Sequence, residues 1–127
     1  MKFTSKLVRE ANILIKNGYS RSAAFKAVFA AEKSRIFEQK LNAAKGRIFT
    51  IQFLKKGTGT VETRDVVSLQ SAHEMGLWQD KETGRKIPPH CMGFYDMSPE
   101  FDADGNIIGT KGVRMFIRTN FIGELQR

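Results

Sequence analysis

The chain has 127 residues, 41% hydrophobic and 27% charged, enough for one core of modest size, and no apolar run in it approaches the length of a bilayer-spanning helix. Its one cysteine, Cys91, rules out an intrachain disulfide and suits a reducing compartment, while the net charge of +8 points toward an anionic partner. That charge is segregated: residues 1–45 carry ten Lys and Arg against Glu10, Glu32 and Glu38, or +7, and residues 46–127 carry +1. The opening MKFTSKLVREANILIK is basic, but Arg9, Glu10 and Lys16 interrupt any signal-peptide core, and a transit segment is poorer in acids. The expectation is a cytoplasmic protein with no membrane association.

A first helix is predicted over residues 5–17, capped by Thr4 or Ser5, with Leu7, Val8, Ala11, Leu14 and Ile15 on one face. Asn17-Gly18 supplies a left-handed stop, and Ser20 caps a second helix two residues later. From Ser20 to Lys45 there is no Pro or Gly, and Phe25, Val28, Phe29, Ile36 and Leu41 recur at helical spacings. Arg21, Lys26, Lys33, Arg35, Lys40 and Lys45 fill much of the rest, opposed only by Glu32 and Glu38. The second helix either runs to about Ala44 or breaks near Lys33-Ser34, where the apolar stripe changes phase. Helices joined by so short a turn fold back as a hairpin.

Gly46 marks a change of period. Arg47 to Leu54 (RIFTIQFL) reads as a strand with Phe49, Ile51 and Phe53 on one face, and Lys55 to Thr60 as a hairpin connection into a return strand, Val61 to Leu69. Residues 70–90 hold the only Trp, a polar turn DKETGRK and Pro88-Pro89, and are read as irregular with room for one short helical turn. Cys91 to Met97 and Gly112 to Thr119 are two further strands, separated by SPEFDADGNIIGTK, whose turn chemistry centres on Asp104-Gly105. A tight turn at Thr119-Asn120 leads to a fifth short strand, Phe121 to Leu125. The expected fold is α+β: a basic helical hairpin, residues 1–45, packed on a small five-stranded antiparallel barrel, residues 46–127.

Three stretches of the β part, Phe49-Thr50-Ile51-Gln52-Phe53-Leu54-Lys55-Lys56-Gly57, Gly93-Phe94-Tyr95-Asp96-Met97, and Gly112 through Ile122 (GVRMFIRTNFI), carry a resemblance. They are similar to the Sm-like/SH3-like barrel domains grouped with the WYL domains, a family common in phages and mobile elements. The lead Ser20 to Ala31 looks like the serine-started, Ala- and aromatic-rich helix of many small phage proteins. The longer segment 70–90 and the acidic hairpin 98–111 depart from the family's pattern. The resemblance implies a barrel of the kind used to bind nucleic acid or ligands, with no catalytic motif, and a host cytoplasm as its place if the protein is phage-encoded.

The candidate nucleic-acid-binding residues fall in two groups. Arg21, Lys26, Lys33, Arg35 and Lys40, with Lys2, Lys6, Arg9 and Lys16 nearby, form a helical face suited to several phosphates. A helix-turn-helix reading with Arg21, Ser22 and Lys26 at the tip of a recognition helix is a variant of this. In the last long strand, Arg114, Phe116 and Arg118 share one side, an arrangement that stacks bases and holds phosphates if exposed. The competing reading has Phe116 covered by the helices and the arginines at a rim. Lys55, Lys56 and Arg64 either extend a positive track or are solvated edge residues.

Other constellations are weaker. Glu100 to Ile107 matches the front half of a calcium loop, but the closing position falls on Lys111, so a polar turn is preferred. One Cys and two His are too few for a zinc site, and adjacent His90 and Cys91 do not make a nucleophile–base pair. No phosphate-cradling loop, paired-carboxylate motif or serine elbow occurs. The expectation is a non-enzymatic accessory protein without catalytic residues, metal or cofactor, its partner either nucleic acid or an acidic protein surface. A protein-binding inhibitor or adaptor acting on a host nucleic-acid-handling or defence complex stands as the alternative, and a component of a virion or other assembly as a third.

Overall fold

The computed structural model describes residues 4–77 and 87–125. Its elements are α1 (Ser5–Lys16), α2 (Arg21–Ala43), β1 (Phe49–Leu54), β2 (Val61–Val67), α3 (Leu69–Glu74), β3 (Cys91–Phe101), β4 (Ile107–Ile117), a 3-10 turn (Arg118–Asn120) and β5 (Phe121–Leu125). Trp78 and the turn DKETGRK lie outside the described residues, as does Lys2.

The helical hairpin forms as its caps dictate. Thr4 Oγ1 accepts from the Leu7 amide at 3.3 Å and Ser20 Oγ from the Ala23 amide at 3.1 Å, each satisfying a donor that a helix start leaves open. Gly18, at φ +99°, turns the chain between them. Leu7 and Ala11 pack on Ala24 and Val28, with Leu14, Ile15 and Phe25 around them, in a small core of their own.

α2 does not break at Lys33-Ser34. Its phase shift is a change of partner: the buried residues Ala24, Val28 and Ala31 give way to Ser34, Phe37 and Leu41. Phe37 and Leu41 join Phe49, Ile51, Val66, Met92, Phe94, Phe116 and Phe121 in the main core. Ser34 sits fully buried at the changeover, and its hydroxyl donates to the Ala31 carbonyl at 2.7 Å, so the helix carries a polar residue there without an unsatisfied group.

The sheet is antiparallel with strand order β4-β3-β2-β1-β5. β4 and β5 are therefore the two edges, yet only the three-residue turn Arg118–Asn120 joins them. Five flat strands span about 19 Å from edge to edge, whereas a 3-10 turn of this length advances about 6 Å. The sheet must curl to bring these edges toward each other at that end. The rings confirm the approach: Phe116 of β4 and Phe121 of β5 stack at 5.5 Å with planes 9° apart. Phe53 stacks on the other side of Phe116 at 4.9 Å, and Phe37 of α2 stacks on Phe121 at 5.6 Å. This column of rings ties the second half of α2 to the curled sheet, an arrangement aromatic pairs favour beyond simple burial.

The expected hairpin at 98–111 and short helical turn after β2 both form, with more regular structure than expected. Residues 98–111 are not mainly loop: β3 runs to Phe101 and β4 begins at Ile107, so they form a two-stranded ribbon closed by a turn at residues 102–106. The segment after β2 opens with α3, capped by Ser68, whose hydroxyl oxygen accepts from the Ser71 amide at 3.0 Å.

Candidate nucleic-acid interface

Successive helical residues are turned by about 100°, so Lys6, Arg9, Ile13 and Lys16 occupy one narrow stripe of α1, on a different side from buried Leu7 and Ala11. All four are exposed. Arg21 follows just past the turn, its guanidinium 5.8 Å from the Phe25 ring centroid, and exposed Lys26 lies one turn further along α2. Among the described residues none of these five cations is in an ion pair, and Glu10 is the only acid between residues 4 and 31.

Lys33, Arg35, Lys40 and Arg118 have a different fate, while Lys45 and Arg47, past the end of α2, are exposed and in no ion pair among the described residues. Lys33 Nζ donates to the Ile122 carbonyl of β5 at 2.6 Å. Arg35 pairs with Glu32 at 3.2 Å, and Lys40 with Glu124 of β5 at 2.6 Å while lying 5.3 Å from the Phe49 ring centroid. For the two lysines the cause is geometric: the second half of α2 rests beside β5, and that flank of the helix meets the strand, whereas Arg35 pairs within the helix. Arg118 is held most firmly. It donates to Glu38 Oε1 at 2.9 Å, to the Pro89 carbonyl at 3.0 Å and to Ser34 Oγ at 3.4 Å, with its side chain 11% exposed.

The Arg114–Phe116–Arg118 row is not formed. Curling of the sheet turns Phe116 into the main core, where it is 5% exposed and stacked between Phe53 and Phe121. Arg118 has left the strand for the 3-10 turn. Arg114 alone stays exposed, its guanidinium donating to the Val113 carbonyl at 3.0 Å beside a cavity of about 240 Å³. Lys55, Arg64 and Lys111 share that cavity with Glu62 and Asp96, so it carries both signs of charge.

One polar feature escaped the sequence reading. Asp96 is 1% exposed and pairs with Arg64 Nε at 3.2 Å while accepting from the Ser98 amide at 2.9 Å. Arg64 also pairs with Glu62 at 3.0 Å, so it serves the sheet rather than a positive track. The signal was the parity of β3: Met92, Phe94 and Asp96 alternate onto one face, and a carboxylate on an inward parity requires a cation. In the calcium-like loop, Asp102 Oδ1 accepts from the Asp104 and Asn106 amides, both at 2.9 Å, which is turn chemistry. Cys91 is buried.

Between α2 and β5 run two adjoining cavities of about 430 and 260 Å³, lined in part by Lys26, Phe29, Lys33, Ile36, Lys40 and Phe121. Among the described residues no helix is long and apolar enough to cross a membrane. Comparison with protein-family models, with curated proteins and with solved structures returned no match.

Proposed function

We propose that this is a non-enzymatic nucleic-acid-binding accessory protein, of the phage or mobile-element type that its β part resembles, which holds phosphates on its helical hairpin. The observation that carries the reading is the split in the fate of the cations. Lys6, Arg9, Lys16, Arg21 and Lys26 lie on solvent with one acid near them, whereas Lys33, Arg35, Lys40 and Arg118 are engaged by carboxylates or carbonyls. The phosphate-contacting set therefore moves toward α1 from where the charge count alone would centre it, with Arg114 as a separate point. For the scaffold, the strand order, the 3-10 turn between β4 and β5, and the helix covering the core support a barrel of the SH3/Sm-like kind. Five phosphate contacts predict that log K falls with log salt at a slope of about −4 to −5 on duplex DNA.

A mobility-shift series with single- and double-stranded DNA and RNA at several salt concentrations tests this. Changing Lys6, Arg9, Lys16 and Arg21 to Glu is expected to abolish the shift, with an unchanged circular dichroism spectrum. Binding that survives the fourfold reversal, or shows no salt slope, removes the assignment. A second reading, a protein-binding inhibitor or adaptor, draws on the lysine-lined apolar groove beside β5, where Ile36 is 52% exposed. That groove suits an acidic, apolar segment of a partner. Under this reading, Ile36→Asp abolishes partner binding and leaves nucleic-acid affinity intact.

A further inference from the structure

The ribbon formed by the ends of β3 and β4 is the least supported part of the sheet. β2 pairs with β3 only at Val66↔Asp96 and Val67↔Tyr95. Beyond Asp96, β3 has β4 alone as a neighbour, and that ladder is itself shifted between Asp96 and Pro99 and again at Glu100/Phe101. A lone two-stranded ribbon is marginal in water. This one nevertheless ends in three large apolar side chains, Phe101, Ile107 and Ile108, which are 55%, 67% and 64% exposed. Phe101 and Ile107 are cross-strand partners and so share a face. Ile108, the extra residue at the register shift beside them, adds to this surface and makes the tip an apolar wedge. An apolar cluster on a projecting ribbon marks an interaction surface rather than a solvated turn.

The charges around the wedge indicate its occupant. Residues 98–110 contain Glu100, Asp102 and Asp104 and no Lys, Arg or His. Among the described residues, the only ion pair these carboxylates make is the long one from Glu100 to Lys111 at 4.0 Å. At the start of the same chain, the stripe Lys6, Arg9, Ile13 and Lys16 has the converse composition: unpaired cations around an isoleucine that is 58% exposed. Tyr19, 48% exposed, adds apolar surface beyond its end. We infer that the ribbon tip docks on the α1 stripe of a second copy of this chain, Phe101 and Ile107 covering Ile13, and the acidic turn with Asp104 meeting Lys6, Arg9 and Lys16. The contact joins two different patches, so it closes as a reciprocal dimer or continues head to tail. It occupies the stripe assigned above to phosphates but does not depend on that assignment.

The test is a mixing experiment followed by analytical ultracentrifugation at 50 mM and 500 mM salt. A tip variant (Phe101→Ser, Ile107→Thr, Ile108→Thr, Asp104→Lys) keeps the stripe, and a stripe variant (Lys6→Glu, Arg9→Glu, Ile13→Ser, Lys16→Glu) keeps the tip. All of these side chains are exposed, and thermal melts verify that both variants fold. The wild type is expected to associate at 50 mM salt and to weaken at least tenfold at 500 mM, since the contact is partly ionic. Each variant alone is expected to be monomeric, because neither can supply both halves in the same orientation. Mixing the two restores a one-to-one complex, because one contact of the tip on the stripe survives. A wild type that stays monomeric at 50 mM salt and about 200 µM overturns the proposal, as does a tip variant that still self-associates.

Discussion

The two halves of α2 begin with the same kind of sequence, Ala-rich and studded with lysine and arginine, and end in opposite roles. In the first half, Ala24, Val28 and Ala31 pack on a neighbouring helix that is itself basic, so Arg21 and Lys26 meet no carboxylate. In the second half, Phe37 and Leu41 pack on the sheet, and Lys33 and Lys40 are drawn to β5, where the Ile122 carbonyl and Glu124 receive them. Arg35 pairs with Glu32 one turn back on α2 itself, but what Lys26, Lys33 and Lys40 do is decided by the element that their half of the helix packs against. Counting charge along a chain therefore locates a basic segment, but not the part of it that remains available to a polyanion.

The largest effect that separates the halves is expected from Phe116→Ala. The ring lies between two others in the core that anchors the second half of α2, and its loss should cost about 3–5 kcal/mol in chemical denaturation. If Phe116 were instead a base-stacking residue on the surface, the variant would keep its stability and lose affinity. Arg118→Ala comes next. It strands Glu38 and removes three hydrogen bonds from a mostly buried guanidinium, for an expected loss of about 1–3 kcal/mol, whereas Arg9→Ala on the open stripe should change stability by less than about 0.5 kcal/mol. Equal effects at the two arginines would erase the distinction between engaged and free cations.

Much of this was legible beforehand. Thr4, Gly18 and Ser20 gave the hairpin its ends, and the alternation of Phe49 with Ile51 gave β1 its inward face, because caps and strand parity are local properties. The turn at Thr119-Asn120 was visible as well, but its consequence was not. A three-residue link between the two edge strands forces the curl that buries Phe116, and strand order cannot be read from spacing. The Arg114–Phe116–Arg118 row failed for that reason: its parity was right for 114 and 116, but the face was the inside of the bend. The capture of Lys33, Lys40 and Arg118 likewise depends on contacts between residues 80 to 89 apart in the chain, which no local pattern encodes.

The finest test compares two lysines of one helical hairpin. Lys16 stands on the α1 stripe with no ionic partner among the described residues, whereas Lys40 is bonded to Glu124. Removing one phosphate contact lowers the salt slope of duplex binding by about 0.9, so Lys16→Ala should flatten that slope while leaving the melting temperature alone. Lys40→Ala should do the reverse. It leaves the slope unchanged and shifts stability by less than about 1 kcal/mol, because its pair with Glu124 is partly exposed and screened. A slope that responds to Lys40 would mean that nucleic acid displaces Glu124 to recruit the second half of the helix. The boundary between the two halves of α2 would then belong to the free protein only.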